Sequence, residues 1–272
     1  MELLIEYFEH IPTYVRASIL IGGIFLFWIM EGIIPLFSFS YNKLRHAGIN
    51  LFFTLCTAVV GFGLAGALYG VSQWAVSNQF GLLFLVDIPL WLSVILGVMF
   101  LDFMGAYTAH WVEHHVPLFW RFHLIHHSDQ NVDVTTGLRH HPGETFIRIG
   151  FTILAVFLGG VPIGIVMLYQ SLSVLFAHLT HANIEVNTKI DRWLSYVFVT
   201  PNMHKIHHHY KMPLTDTNYG NIFSIWDRIF GTFTEVDDTR ELRFGIDTHM
   251  EREEHNRLVR LLEIPFKLHR KD

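Results

Sequence analysis

Charged side chains are scarce in this sequence. They make up 16% of 272 residues, where soluble domains carry roughly 25%. The shortage argues against an ordinary water-soluble domain. Cysteine is scarcer still. Cys56 stands alone inside an apolar run, so no intrachain disulfide forms and the residue reads as a small hydrophobe. No block of lysine and arginine occurs, and the formal net charge is -5, so nucleic acid is not an expected partner. The first residues carry Glu2, Glu6 and Glu9 where a cleaved leader carries positive charge, so no signal peptide is expected. Tandem repeats and low-complexity tracts are lacking too.

Apolar text is abundant: 51% of the residues are hydrophobic and the mean hydropathy is +0.35. Three runs, 15–37, 51–76 and 82–108, reach the roughly 20 apolar residues that span a bilayer. Glu31, Asp87 and Asp102 interrupt them, and an ionisable group at membrane depth is functional or paired by default. Glu31 and Asp87 fit an interface equally well. Asp102 precedes His110 by about two helical turns, which puts both on one face of a regular α-helix.

A fourth stretch, 147–178, is broken by Gly159-Gly160-Val161-Pro162, a poor helix interior. Each half holds only about 14 apolar residues, or about 21 Å of helix, short of the roughly 30 Å hydrocarbon core. A short or re-entrant helical hairpin turning at Gly159–Pro162 is therefore expected. The fold class is all-α: a polytopic membrane protein with three transmembrane spans and this hairpin. Residues 1–108 form the anchor. Residues 109–272 form one integrated histidine-rich region with an amphipathic helix at about 248–263, N-capped by Thr248 with Glu251 in its first turn.

Lysine and arginine near the spans set orientation. Lys43, Arg45, Arg121, Arg139, Lys205 and Arg228 flank the histidine-bearing segments, while the N-terminus is acidic apart from Arg16. This places the histidines and the C-terminus on the cytoplasmic side.

Fourteen of the 19 histidines fall between His110 and His209. They recur in three boxes: His110-x-x-x-His114-His115, His123-x-x-His126-His127 and His204-x-x-His207-His208. On a helix, residues at i, i+3 and i+4 share a face, so each box can aim two or three imidazoles at one point. Imidazole is the commonest protein ligand of transition metals. A tetrahedral ion uses about four ligands, so eight or more imidazoles call for two ions. Nitrogen donors suit iron, zinc and copper alike. A redox metal with dioxygen, fed by a lipid, suits attack on an unactivated C–H bond, whereas zinc would mean hydrolysis.

Around the boxes the sequence resembles the fatty acid hydroxylase/sterol desaturase superfamily of membrane di-iron proteins. The resemblance runs from about 100 to 233. It includes Leu101-Asp102-Phe103, Trp120-Arg121-Phe122-His123, Ser128-Asp129, Thr135 to Glu144, His181-x-Asn183, Thr200-Pro201-Asn202, Asn218-Tyr219-Gly220 and Trp226 to Thr232. It implies a di-iron centre with two non-haem irons, O2 as co-substrate and a lipid substrate. It implies as ligands His110, His114, His123, His126, His127, His204, His207 and His208, with His181 as an additional one. His178, one turn before His181, and His141 are candidates as ligands or as groups supporting them. Asp102, Asp129 and Glu144 are expected to orient imidazoles. His115, His140 and His209 are expected beside the ligands or exposed, and His10, His46, His249, His255 and His269 as surface residues.

The expected activity is hydroxylation of a fatty acyl, sterol or related lipid, with desaturation on the same site as the alternative. The spacing His110-x-x-Glu113-His114 also fits a zinc hydrolase, but that reading leaves the other two boxes unexplained. No flavin or nicotinamide fingerprint occurs, so electrons are expected from an external donor, a reductase with ferredoxin or cytochrome b5. Arg121, Arg139 and Lys205 are a candidate docking patch for it, and a solvated rim is the plainer reading. Phe103, Tyr107, Trp111, Trp120 and Phe176 are candidates to line a lipid tunnel, or to pack. The lack of an organelle signal and of a lysine-rich C-terminal retrieval tail leans towards a bacterial plasma membrane over endoplasmic reticulum, since Lys267 to Asp272 is too mixed to count as one.

Overall fold

The computed structural model describes residues 1–251 and 256–267. Twelve α-helices carry the description: α1 Glu2–Glu9, α2 Thr13–Ile33, α3 Lys43–Ser77, α4 Leu90–Leu101, α5 Ala109–His115, α6 Pro117–His127, α7 Pro142–Gly159, α8 Ile163–His181, α9 Thr188–Leu194, α10 Pro201–His207, α11 Ile225–Ile229 and α12 Leu258–Glu263. No strand occurs among the described residues, only isolated bridges such as Pro35 with Ile184. The all-α expectation holds.

Among the described residues, five helical stretches are long and apolar enough to cross a membrane: Thr13–Ile33, Lys43–Phe84, Leu90–His115, Pro142–Gly159 and Ile163–His181. The hairpin turns where Gly159–Pro162 predicts, but its arms differ from expectation. They hold 18 and 19 residues, or about 27 and 29 Å of helix, close to a full bilayer core. They lengthen because α7 begins early, at Pro142 with His141 as N-cap, and α8 runs on to His181. Polar Glu144, Arg148, His178 and His181 are thereby drawn into helix.

The turn depends on two glycines placed back to back. Gly160 ends α7 in the left-handed conformation at φ 68°, and Gly81 has φ 115°. A Cβ on Gly81 would stand 2.2 Å from the Gly160 nitrogen. Only residues without a Cβ permit both the backbone and the approach. Ser72 donates to the Val161 carbonyl at 2.9 Å, tying α3 to the same end.

Leu101, Ala155, Val156, Ile165 and Val166, all fully buried, join α4, α7 and α8 into one core. Packing rather than water release holds such helices together in lipid. By contrast Ile21, Phe25, Val59 and Phe62 on α2 and α3 are widely exposed, as a lipid-facing surface requires.

At the opposite end the chain is polar and ordered. Glu31 is buried there, taking Lys43 Nζ at 2.5 Å and the amides of Val134 and Asn183. It is therefore a paired structural carboxylate, whereas Asp87 is exposed in a loop. Of the helix expected over 248–263, Thr248 lies in a turn, residues 252–255 lie outside the described residues, and α12 starts at Leu258.

Candidate metal centre

The polar end gathers nine histidines into two groups. His110, His114, His123, His127 and His207 form one; His126, His181, His204 and His208 form the other. Within each, the ligand nitrogens all lie within 4.8 Å of one another. Two imidazoles opposed across one ion stand about 4.2 Å apart, so each group fits one ion.

The grouping cuts across the boxes. Spacing predicts that each box aims at a single point; the structure divides boxes two and three between the groups. His123 and His127 join the first and His126 the second, while His207 joins the first and His204 and His208 the second. Helical geometry explains the split. Positions i+3 and i+4 are neighbours on one face, but they diverge by about 100° around the axis. A helix between two ions serves both.

Hydrogen bonds decide which nitrogen faces inward. His110 Nδ1 lies 2.8 Å from the Tyr219 carbonyl, His207 Nδ1 2.7 Å from the Thr217 carbonyl, and His181 Nδ1 2.7 Å from the Ala177 carbonyl. A carbonyl only accepts, so these Nδ1 atoms carry the proton and their Nε2 atoms offer lone pairs. Glu144 binds His123 Nδ1 at 2.8 Å and Asp216 binds His114 Nδ1 at 2.9 Å, with the same consequence.

Lone pairs then face lone pairs. His110 and His123 bring their Nε2 atoms to 3.0 Å, and His207 Nε2 has no partner at all. In the second group His126, His204 and His208 all approach the single His181 Nε2 lone pair at 3.0–3.2 Å. One lone pair accepts one such donor in its plane, not three. A cation at the centre of each group removes the conflict, so the donor set fits metal. Burial pushes His126, His127, His204, His207 and His208 well below their ordinary range, and His123 to about 3. They are therefore neutral, as metal ligation requires.

The remaining candidates sort by contact. Glu144 lies behind the site, touching His123, His140 (2.7 Å) and Arg148 (3.0 Å). His140 stacks on His126 with ring centres 4.6 Å apart. His178 is buried against Gly23 and belongs to neither group. His141 caps α7 by accepting from the Gly143 amide, and it too lies outside both groups. His115 and His209 are also outside.

Asp102 and Asp129 depart from expectation. Asp102 orients no imidazole. It accepts from the Ile222 and Phe223 amides and Trp226 Nε1, and so pins the 219–226 loop. The reason is a π-helical segment, Asp102–Thr108, between α4 and α5. Its wider winding breaks the two-turn register that would align Asp102 with His110. Asp129 pairs with His46 at 2.8 Å instead of a ligand histidine, and His46 lies 3.2 Å from Asp133 as well. His46 and His249 are buried rather than at the surface, His10 is exposed, and His255 and His269 lie outside the described residues.

Arg139 and Lys205 form neither the solvated rim expected of them nor the candidate docking patch. Arg139 and Lys205 are fully buried. Arg139 donates to the Ile125 carbonyl and the Ser128 hydroxyl, and Lys205 to the Ala182 carbonyl. Glu113, the acid a zinc hydrolase would need, sits behind His123. It lies 3.7 Å from the outward Nδ1 and 2.8 Å from Arg148, facing away from the ion position.

Among the aromatics, Trp120 packs on His114 at 4.8 Å between ring centres. Phe103 and Tyr107 stack with Phe230, Trp111 on His115, and Phe176 on Phe198. Tyr219, which enters the sequence reading only as part of Asn218-Tyr219-Gly220, is the residue most underrated. Its ring touches His110, His114 and His207, and its backbone oxygen orients His110. Asp227 holds it there through the Tyr219 and Gly220 amides, so Trp226-Asp227-Arg228 also serves the site. Arg148 and Asp216 carried no sequence signal beyond being charged.

The sequence is similar to known lipid-modifying enzymes. The fatty acid hydroxylase family model matches residues 94–232. An ornithine lipid hydroxylase from Rhizobium tropici is 30% identical over 71% of this chain and 57% of its own length. Alkylglycerol monooxygenases are similar over shorter stretches. The Caenorhabditis elegans protein is 34% identical over 50% of this chain and 26% of its own, and the human protein 31% over 53% and 30%. The chain thus matches less than two thirds of the length of these relatives. No solved structure matches it.

Proposed function

The chain belongs to the fatty acid hydroxylase family, and from that premise we propose that it is a membrane-bound, O2-dependent di-iron oxygenase that hydroxylates a C–H bond of a lipid. The observation that carries the metal half is the opposition of His110 and His123 through two Nε2 lone pairs at 3.0 Å. In this reading the nine grouped histidines are the ligands. A pair of irons bound there supplies the oxidising power that acid–base groups lack.

The chain's own residues do the rest. Tyr219, Thr217 and Ala177 carbonyls, with Glu144 and Asp216, fix the imidazole tautomers. His123, His127, His207 and His208 are fully buried, which shields a reactive site from bulk water. A site at the polar end of the apolar helices suits a substrate that arrives through the bilayer. The relatives' names, ornithine lipid hydroxylase and alkylglycerol monooxygenase, support a polar-headed lipid and hydroxylation over desaturation. Lys43, Arg45 and Arg121 near the site support a cytoplasmic placement, and an external reductase system supplies electrons.

The test is metal content after purification without a histidine tag, followed by lipid mass spectrometry. The expected result is about two irons per chain from two sites of four to five nitrogens, loss of iron in His207→Ala, and a lipid product heavier by one oxygen. One zinc and no iron, in cells grown with ample iron, would sink the proposal.

A further inference from the structure

A cleft of mixed apolar and charged lining opens on the far side of the helix that carries the third box. It encloses about 130 Å³ between α9, α10 and the 233–240 segment. Water occupies about 30 Å³ in the liquid, so the cleft admits a small headgroup and not a lipid tail. Thr188, Asp191, Arg192 and Ser195 present one face of α9 to it, and Asn202, Met203 and Ile206 form the α10 wall.

Its charge is one-sided. Glu185, Asp191, Glu235, Asp237 and Asp238 line it against Arg192 and Arg240. Both cations are engaged: Arg240 pairs with Glu185, and Arg192 lies 3.8 Å from Glu235. Asp191 and Asn202 differ from the exposed acids. They are 8% and 9% exposed, and one side-chain oxygen of each has no hydrogen-bond partner. A buried acceptor left without a donor is costly. Burial raises the Asp191 carboxyl above its ordinary range even though Thr200, Asn202 and the buried Lys205 ammonium act in the opposite direction, so a cation at its remaining free oxygen still favours the ionised form.

The outer face of α9 locates the cleft. Ile190 and Trp193 are 56% and 73% exposed there, and Tyr196 and Val197 continue the apolar ridge. Phe198 folds back against Phe176, inside the span of α8. Aromatic residues of this kind sit at the headgroup level of a membrane.

The geometry points to a recognition site for a primary ammonium group, bound by the unpartnered oxygens of Asp191 and Asn202 in this cleft. An ammonium supplies donors to both oxygens and neutralises the surplus charge. The headgroup amine of the lipid substrate is the source that follows if the oxygenase reading holds. A free amine is the other source of the same chemistry.

Binding tests this without turnover, so it stands apart from any failure of the oxygenase reading. The iron-loaded protein in detergent is titrated calorimetrically with n-butylammonium, and with n-butanol as the uncharged control. Saturable binding of the amine alone is expected, weakened about tenfold in Asp191→Asn and tightened in Asn202→Asp. No saturable binding, or equal affinity in wild type and both variants, overturns the site. Should Asp191→Asn fail to fold, Asn202→Asp decides alone, since it adds a carboxylate at the same place.

Nanodiscs then separate the sources. Competition by phosphatidylethanolamine and not by phosphatidylcholine assigns the site to a lipid amine. Competition by neither assigns it to a free amine. Equal competition by phosphatidylcholine, whose headgroup has no N–H donor, overturns the ammonium assignment.

Discussion

His110 and His123 face each other at 3.0 Å through nitrogens that both carry lone pairs, because Tyr219 and Glu144 hold their protons on the opposite side. The arrangement is repulsive without a cation. Stripping the metal with a chelator should therefore lower the melting temperature by roughly 10 °C, the scale of a ligand held far above its dissociation constant. Thermal unfolding with and without chelation measures it. An unchanged transition would mean that the two histidines tolerate each other unaided.

The two groups are separable. His114→Ala removes a ligand from the first and His181→Ala from the second. Each should retain about one of two ions, since each group supplies its own four or five nitrogens. Metal analysis of the two variants, and of their combination, reads this directly. If either single change emptied both sites, the division into two groups would be wrong.

Glu144 acts through His123 and His140, so its replacement should weaken metal binding without abolishing it. Glu144→Gln keeps the size but leaves the Nδ1 atoms with a poorer partner. The expected loss in affinity is about 10- to 100-fold, measured by competition with a chromophoric chelator. Unaltered affinity would reduce Glu144 to a partner of Arg148.

Arg139 lies fully buried beneath the second box. Burial alone would raise the Asp129 carboxyl, but His46 and Arg139 outweigh it and hold the group well below the usual carboxylate range. Arg139→Ala should destabilise the protein by about 3–5 kcal/mol, the cost of removing one member of a buried ionic network. Arg139→Lys should not rescue it, because one ammonium cannot follow the guanidinium fork to Ile125 and Ser128. Denaturant titration in detergent checks both.

Gly160→Ala tests the membrane hairpin. The residue has φ 68°, and a Cβ would stand 2.3 Å from the Phe80 carbonyl. A loss of more than about 1 kcal/mol is expected from backbone strain and the clash together. The reading is the yield and melting temperature of detergent-solubilised protein. A neutral result would show that the Gly81–Gly160 contact yields easily.

Much of this was legible in the residues themselves. Apolar run length marks membrane helices, Gly-Gly-Val-Pro marks the hairpin turn, and repeated histidine spacing marks eight of the nine side chains that converge, His181 coming only from the family resemblance. Each is a local property, set by a few neighbouring residues and the helical repeat. The division of those histidines was not legible. A box sitting between two ions has the same sequence as a box facing one. Nor were Tyr219 and Asp216, which reach His110 and His114 across 109 and 102 positions of chain, or Arg148, which joins Glu113 of α5 to Glu144 of α7. Asp102 shows the same limit, since one π-helical segment redirects it from the histidines to a loop. The sequence by itself determined the all-helical membrane class and the set of imidazoles. Only the tertiary structure decided which imidazole joins which group and which nitrogen it turns inward, because those depend on carbonyls and carboxylates brought in from distant elements.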